Sequence, residues 1–193
     1  MTHLMNTYAR LPITFVRGEG AWLYDDQDQR YLDAISGIGV CSLGHAHPEI
    51  AEAIADQAKT LIHTANLAQI PWQEQLGDKL AAVSGMEKSF IGNSGAEAVE
   101  CALKISRLYA HNRGIKNPKV LVTEKSFHGR TIAALSASGS PKTRAGFEPF
   151  VEGFIRVPYG DAEAAAEALK QHDDIVAVML ETIQGEGGIS VPP

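Results

Sequence analysis

Three short runs combine residue types able to hold a flat, charged ligand. Gly92-Asn93-Ser94-Gly95-Ala96-Glu97-Ala98 sets small, hydrogen-bonding residues just ahead of a helical pattern in Val99, Ala102, Leu103 and Ser106. At a helix N-terminus, free backbone N–H groups and the positive end of the helix dipole favour a phosphate, and glycine admits close approach. Ser94 can add a hydroxyl donor. An ordinary strand-to-helix turn capped by Asn93 or Ser94 has the same composition, so the turn alone does not choose between the two. Phe127-His128-Gly129-Arg130 joins a ring that can stack on a flat ligand to a guanidinium whose fork matches a carboxylate. The plainer alternative makes Phe127 a core plug and Arg130 a solvated charge. Glu181-Thr182-Ile183-Gln184-Gly185-Glu186-Gly187-Gly188 puts two carboxylates and an amide after a very apolar run, where each carboxylate needs a positive or polar partner. The sequence shows no such partner for Glu186.

Other chemistries are poorly served. His45 and His47 in Gly44-His45-Ala46-His47-Pro48 lack a third ligand nearby, and His47-Pro48 suits the start of a helix, so no metal is expected. No GxSxG, GxxxxGK[ST] or HExxH occurs, and no GxGxxG marks a dinucleotide site. A net charge of −6 with 17 Lys plus Arg among 193 residues, and no basic run, argues against a nucleic-acid partner. The two cysteines, Cys41 and Cys101, form neither a disulfide framework nor a CxxC motif, which fits a reducing cytoplasm. The N-terminus lacks the layout of a signal peptide and no segment approaches the ~20 apolar residues of a membrane span, so the expectation is a chain neither exported nor embedded.

The elements that must position these runs follow from periodicity and punctuation. Residues 20–35, with Trp22 through Asp33, hold two short apolar patches separated by an acidic polar turn, as in a hairpin. The Gly-punctuated stretch Gly37–Gly44 is expected to line a pocket or an interface. Pro48 opens a helix with Ile50, Ile54, Ala58, Leu61 and Ile62 on one face; Pro71 opens another, carrying Leu76, Leu80 and Val83 and stopped by Gly85. Strand 87–91 then leads to helix 95–112, closed by Gly114. Lys119–Glu124 reads as a strand, a short helix starts near Gly129, Asp161 caps the helix 161–171, and Ile175–Glu181 is a buried strand. Strands apolar on both faces and separated by helices imply an α/β fold, a mainly parallel sheet covered on both sides. Its ligands bind beyond the carboxyl ends of the strands, where all three polar runs would lie. Gly187–Pro193 ends without a closing element, as though the chain were cut mid-domain.

Taken in order and spacing, Gly44-His45-Ala46-His47-Pro48, Asn93–Ala98, Phe127-His128-Gly129-Arg130-Thr131 and Glu181–Gly188 resemble the motifs of class III aminotransferases, most of all the acetylornithine/succinyldiaminopimelate aminotransferase group. The resemblance covers nearly the whole chain. It implies a fold-type I transferase dependent on pyridoxal 5′-phosphate, with residues 1–45 in the smaller N-terminal α+β domain and 46–193 in the first part of the large domain. It gives the phosphate to Gly95 and Ala96 with Ser94 assisting, the pyridine ring to Phe127, and the substrate α-carboxylate to Arg130. Glu181 resembles a residue beneath the cofactor that supports the acidic partner of the pyridine nitrogen, and Glu186 a switch carboxylate that pairs with an arginine near the C-terminus. Ile38 stands where ornithine δ-aminotransferases carry a tyrosine that contacts the free amine, and an apolar residue there suits an acylated substrate. Thr182 stands where many relatives have proline, a change expected to be tolerated.

The family's bonding lysine, the aspartate that pairs with the pyridine nitrogen and a threonine that reaches the phosphate from the neighbouring subunit match no motif of this chain. The expectation is therefore the N-terminal half of a homodimeric enzyme of arginine or lysine biosynthesis, inactive alone. That enzyme would move the δ-amino group of N-acetylornithine to 2-oxoglutarate. Alternatives within the class are ornithine, succinylornithine, 4-aminobutyrate or diamine donors, or a glutamate-1-semialdehyde mutase. An alternative outside it is a non-catalytic phosphate-binding fragment.

Overall fold

The computed structural model describes residues 3–193, which divide into two compact units, residues 3–70 and Pro71–Pro193. In the first, β1 (Phe15–Glu19), β2 (Trp22–Asp25) and β3 (Arg30–Leu32) form an antiparallel sheet in that order, which contains the expected hairpin. Asp25 ends β2 and holds the turn: its carboxylate accepts from the N–H groups of Gln27 (3.0 Å) and Gln29 (2.8 Å) and from the Tyr31 hydroxyl (3.0 Å). Burial alone would raise this carboxyl, yet the three donors outweigh it and hold Asp25 below the usual carboxylate range.

Next comes α1 (Ser36–Gly39), a single turn interrupted by left-handed backbone at Gly37 and Ile38, and then α2 (Pro48–Thr60), which His47-Pro48 opens as expected. His45, ahead of α2, serves structure. His45 Nε2 lies 2.7 Å from Asp33 Oδ2, and the His45 main chain pairs with Gly20 through bonds of 2.7 and 3.0 Å. Among the described residues no cluster able to hold a metal forms. Helix α2 stops at Thr60, so Leu61 and Ile62 lie beyond it in place of extending its apolar face. Leu61 is fully extended there, and Ile50, Ile54 and Ile62 are exposed.

The second unit begins with α3 (Pro71–Ser84), stopped by a left-handed Gly85, and continues with α4 (Gly95–Asn112), β4 (Lys119–Thr123), α5 (Ile132–Ala137) and α6 (Pro141–Arg144). It then runs through β5 (Phe154–Val157), α7 (Ala162–Gln171) and β6 (Ile175–Met179). The sheet has the order β5-β4-β6, all parallel. Strand β4 is central and apolar on both faces: Val120 and Val122 pack with Leu103 of α4 and Ala137 of α5, while Leu121 packs with Val157 and Ala168 of α7 on the other side. Helices therefore cover both faces, as a doubly apolar strand requires.

Some elements differ from expectation. Residues 87–91 form no strand: among the described residues no neighbouring backbone pairs with them, and Phe90 is exposed, because an apolar run becomes a strand only where a ladder partner exists. Helix α5 begins three residues after Gly129, at Ile132. Strand β5 is a surprise of four residues with an arginine inside it. The Arg156 guanidinium donates to the carbonyls of Ser136 and Ser138, satisfying the C-terminal end of α5.

Two substitutions test the packing. A Cβ on Gly139 would stand 2.5 Å from both Thr123 O and Lys125 N, whereas one on Gly77, inside α3, would meet nothing within 4 Å. Gly139→Ala is expected to lower stability by about 1–3 kcal/mol, and Gly77→Ala to raise it by about 0.5–1 kcal/mol, read from urea unfolding midpoints. Acid gives a further check. His128 is 8% exposed, and burial, only partly offset by Glu181, pushes its imidazole below the ordinary range. The unfolded chain thus takes up the proton more readily than the folded one. Stability is expected to be full above about pH 6.5 and to fall as pH drops from there through the lowered folded value. Chemical unfolding across that window should show a smaller acid loss for His128→Asn than for the unsubstituted chain.

Candidate cofactor and substrate site

The site is assembled around the carboxyl end of β4. After Thr123 the chain turns through Lys125, whose φ is 57°. This turn is pressed between two glycines: Gly139, whose added Cβ would strike Lys125 N, and Gly187, whose Cβ would stand 2.7 Å from Lys125 O. Gln184, fully buried, ties the Glu181–Gly188 run to the same place by donating from Nε2 to Glu124 O (2.8 Å) and Thr123 Oγ1 (3.2 Å). The Ser126 hydroxyl, also fully buried, donates to Thr123 O at 2.7 Å. His128 N–H donates to Ser138 Oγ at 2.9 Å, fixing the loop that follows against α5.

That loop is what joins the runs. Gly129, at φ 134°, lies so close to the start of α4 that an added Cβ would be 3.1 Å from the Ala96 Cβ. The Phe127 N–H donates to Glu181 Oε1 at 2.8 Å, which fixes a partly exposed ring next to the end of β6. The Arg130 guanidinium carbon lies 5.5 Å from the Phe127 ring centre, and the Thr131 hydroxyl bonds to Glu100 of α4. Thus Ala96, Phe127 and Glu181 come together through named contacts. Arg130 and Glu186 line one open cleft of about 590 Å³ with Lys125, Lys142, Thr143 and Phe147. Ile38 belongs to the first unit, where it is 88% exposed with left-handed backbone. Thr182 uses only its backbone carbonyl, which accepts from the Tyr159 hydroxyl at 2.9 Å.

The helix N-terminus at Gly95 has a narrower donor set than its sequence suggests. The Ser94 hydroxyl donates to Glu97 Oε2 (3.0 Å) and accepts from the Glu97 N–H (3.3 Å), while the Asn93 N–H donates to the same carboxylate at 2.8 Å. This reciprocal cap holds Glu97 below the usual carboxylate range, chiefly through the Ser94 hydroxyl. Ser94 therefore has its hydroxyl proton engaged. The N–H groups of Gly95 and Ala96 keep no acceptor among the described residues, and a Cβ on Gly95 would meet nothing within 4 Å. Two free N–H groups on an open helix N-terminus, with a flat ring two residues from the Ala96 contact, fit a phosphorylated planar cofactor.

Residues that sequence reasoning passed over are mostly those that hold the site. Gln184 stood out only as an amide between two glutamates, and Gly139 carried no local motif. Lys125 and Lys142 looked like ordinary surface cations until the fold turned both toward the cleft with Arg130. Only an amide within a glycine-rich run hinted at Gln184.

Comparison with known proteins agrees with this arrangement. The family model described as aminotransferase class-III matches residues 4–193. An acetylornithine aminotransferase of Nitrosomonas europaea is 58% identical over 192 residues, covering 100% of this chain and 49% of that protein. The crystal structure of the ornithine aminotransferase of Toxoplasma gondii ME49 superposes with a TM-score of 0.93 at 34% identity, over 99% of this chain and 46% of that one. The acetylornithine aminotransferase of Elizabethkingia anophelis gives a TM-score of 0.81 at 32% identity, over 99% and 44%. This chain spans about half the length of the relatives it matches. With its parallel sheet and helix N-terminal seat, the chain belongs to the class III aminotransferases, a family that uses pyridoxal phosphate.

Proposed function

We propose that this chain carries part of the site of an aminotransferase that takes the δ-amino group of N-acetylornithine and passes it to 2-oxoglutarate, a step of arginine biosynthesis. The observation that supports this most is the Phe127–Arg130 loop, which touches the phosphate seat through Gly129 and the Glu181 carboxylate through Phe127. When bound, pyridoxal phosphate supplies the carbonyl that exchanges for an amino group and the electron sink for the adjacent C–H bond. Gly95 and Ala96 hold its phosphate with their N–H groups, and Phe127 stacks on its ring. Glu181 positions that ring by accepting the Phe127 N–H. Arg130 takes the substrate α-carboxylate, and Glu186, in the same cleft, is the switch carboxylate that pairs with an arginine near the C-terminus of the complete enzyme. Ile38, standing where ornithine δ-aminotransferases carry a tyrosine, favours an acylated donor over free ornithine.

In the complete enzyme, residues 1–45 belong to the smaller domain and 46–193 to the larger one. Two copies assemble with the site between them, in the cytoplasm. The 193-residue chain lacks the bonding lysine in any family motif, so it holds the cofactor reversibly and does not transaminate by itself.

Two measurements follow. Full-length enzyme assayed with 2-oxoglutarate should prefer N-acetylornithine over ornithine and 4-aminobutyrate, and a preference for free ornithine would sink the acyl-substrate reading. Arg130→Lys should weaken substrate binding about ten- to a hundredfold, as expected when a bidentate charged pair is lost, and leave cofactor affinity nearly unchanged. Phe127→Ala should do the reverse, costing about three- to tenfold in cofactor affinity.

A further inference from the structure

The loop that carries Arg130 is fastened to α4 at two points. Gly129 presses on Ala96, where an added Cβ would stand 3.1 Å from the Ala96 Cβ, and the Thr131 hydroxyl donates to Glu100 Oε1. Ala96 and Glu100 stand four residues apart on one face of the helix, a rise of about 6 Å. Two residues of chain reach up to about 7 Å, so the step from Gly129 to Thr131 spans that turn, with Arg130 between the two fastenings. The Thr131 hydroxyl had a local use as well. Thr131 is the N-cap of α5, with the extended backbone of a capping residue (φ −69°, ψ 157°), yet its side chain makes no cap bond. A local cap is given up for a tie across 31 residues of sequence. Arg130 depends on such a tie. Among the described residues no ion pair or hydrogen bond holds its guanidinium, which has only the Phe127 ring beside it, 5.5 Å from the ring centre. Its place is therefore set by its main chain.

We infer that Glu100 and Thr131 are positioning residues, whose hydrogen bond braces Arg130 against the same helix that offers its N-terminus to the cofactor phosphate. The inference rests on the reading of Arg130 as the residue that takes the substrate α-carboxylate. Both residues act through Arg130. Its carboxylate comes from the amino donor in one half of the reaction and from 2-oxoglutarate in the other, so a loosened brace weakens both substrates alike. The Gly95 and Ala96 N–H groups lie a turn away from Glu100 and keep their place, which spares the phosphate. Thr131 is exposed and Glu100 only half-buried, so replacing either leaves the core intact.

The test is steady-state kinetics of the full-length enzyme with both substrates varied, beside a fluorescence titration of each variant with pyridoxal phosphate. Thr131→Val keeps the side-chain shape and removes the hydroxyl. It should raise KM for the amino donor and for 2-oxoglutarate together by about three- to tenfold, the scale of one hydrogen bond, and leave kcat and cofactor affinity nearly unchanged. Thr131→Ser should restore both KM values, and Glu100→Ala should match Thr131→Val. The double variant should be no worse than either single one, because the same bond is lost in all three. Additive losses, a KM change confined to one substrate, a fall in kcat at unchanged KM, or an equal fall in cofactor affinity would overturn the inference. The donor is whichever one the enzyme prefers, so a preference for free ornithine condemns the donor assignment and leaves this test standing. Unchanged substrate binding in Arg130→Lys condemns the carboxylate reading itself, whereas a loss there combined with additive effects at Glu100 and Thr131 condemns the brace alone.

Discussion

Everything at this site hangs on one crowded turn. Where β4 ends, the backbone of Glu124 and Lys125 is wedged between Gly139 and Gly187, close enough that neither glycine could carry a side chain without moving main-chain atoms. The Gln184 amide closes the wedge with hydrogen bonds to Thr123 and Glu124. A buried amide in this position is constrained as few residues are, since any register slip would strand its donors. The turn thereby fixes two segments far apart in sequence, the loop that begins at Ser126 and the acidic run after β6. It also aims Lys125 and Arg130 into one cleft.

From that wedge the order spreads outward through backbone donors. Phe127 gives its N–H to Glu181, and His128 gives its N–H to Ser138, so the ring and the buried imidazole are placed by the main chain and leave their side chains unspent. Gly129 lets the same loop press on Ala96. Moving the Phe127 main chain would break its bond to Glu181, which gives that carboxylate a positioning task as well as a charge. At the seat itself, the cap formed by Ser94 and Glu97 directs the Gly95 and Ala96 N–H groups outward. A helix N-terminus whose hydroxyl and first carboxylate satisfy each other still has two donors to offer.

The first unit follows a different logic. Its hairpin is governed by Asp25, which gathers three donors in one turn, and His45 is absorbed by Asp33 and the Gly20 backbone. A carboxylate buried this way is stabilised by what it accepts and has little freedom for catalysis. Apolar side chains on α2 and α3, among them Ile54, Leu76 and Val83, stay exposed in a chain that spans about half the length of its relatives.

The sequence by itself determined the periodic elements and the local chemistry. Helix 95–112, the caps at Asp161 and Ser94, the stop at Gly85 and the strands at 119 and 175 follow from spacing of apolar residues and from capping groups, which act within a few residues of each other. The parallel sheet followed from those elements, and so did the two polar runs that come after β4 and β6. Tertiary structure decided what depends on neighbours distant in the chain. Residues 87–91 have the composition of a strand and no ladder partner. Residues 154–157 contain an arginine and are a strand because β4 lies beside them and α5 offers carbonyls to the guanidinium. Gly139, Gln184, Lys125 and Lys142 have no local pattern to betray them. Their roles arise from close approach and shared charge across the fold, and those are set only once segments some sixty residues apart share the same few ångströms.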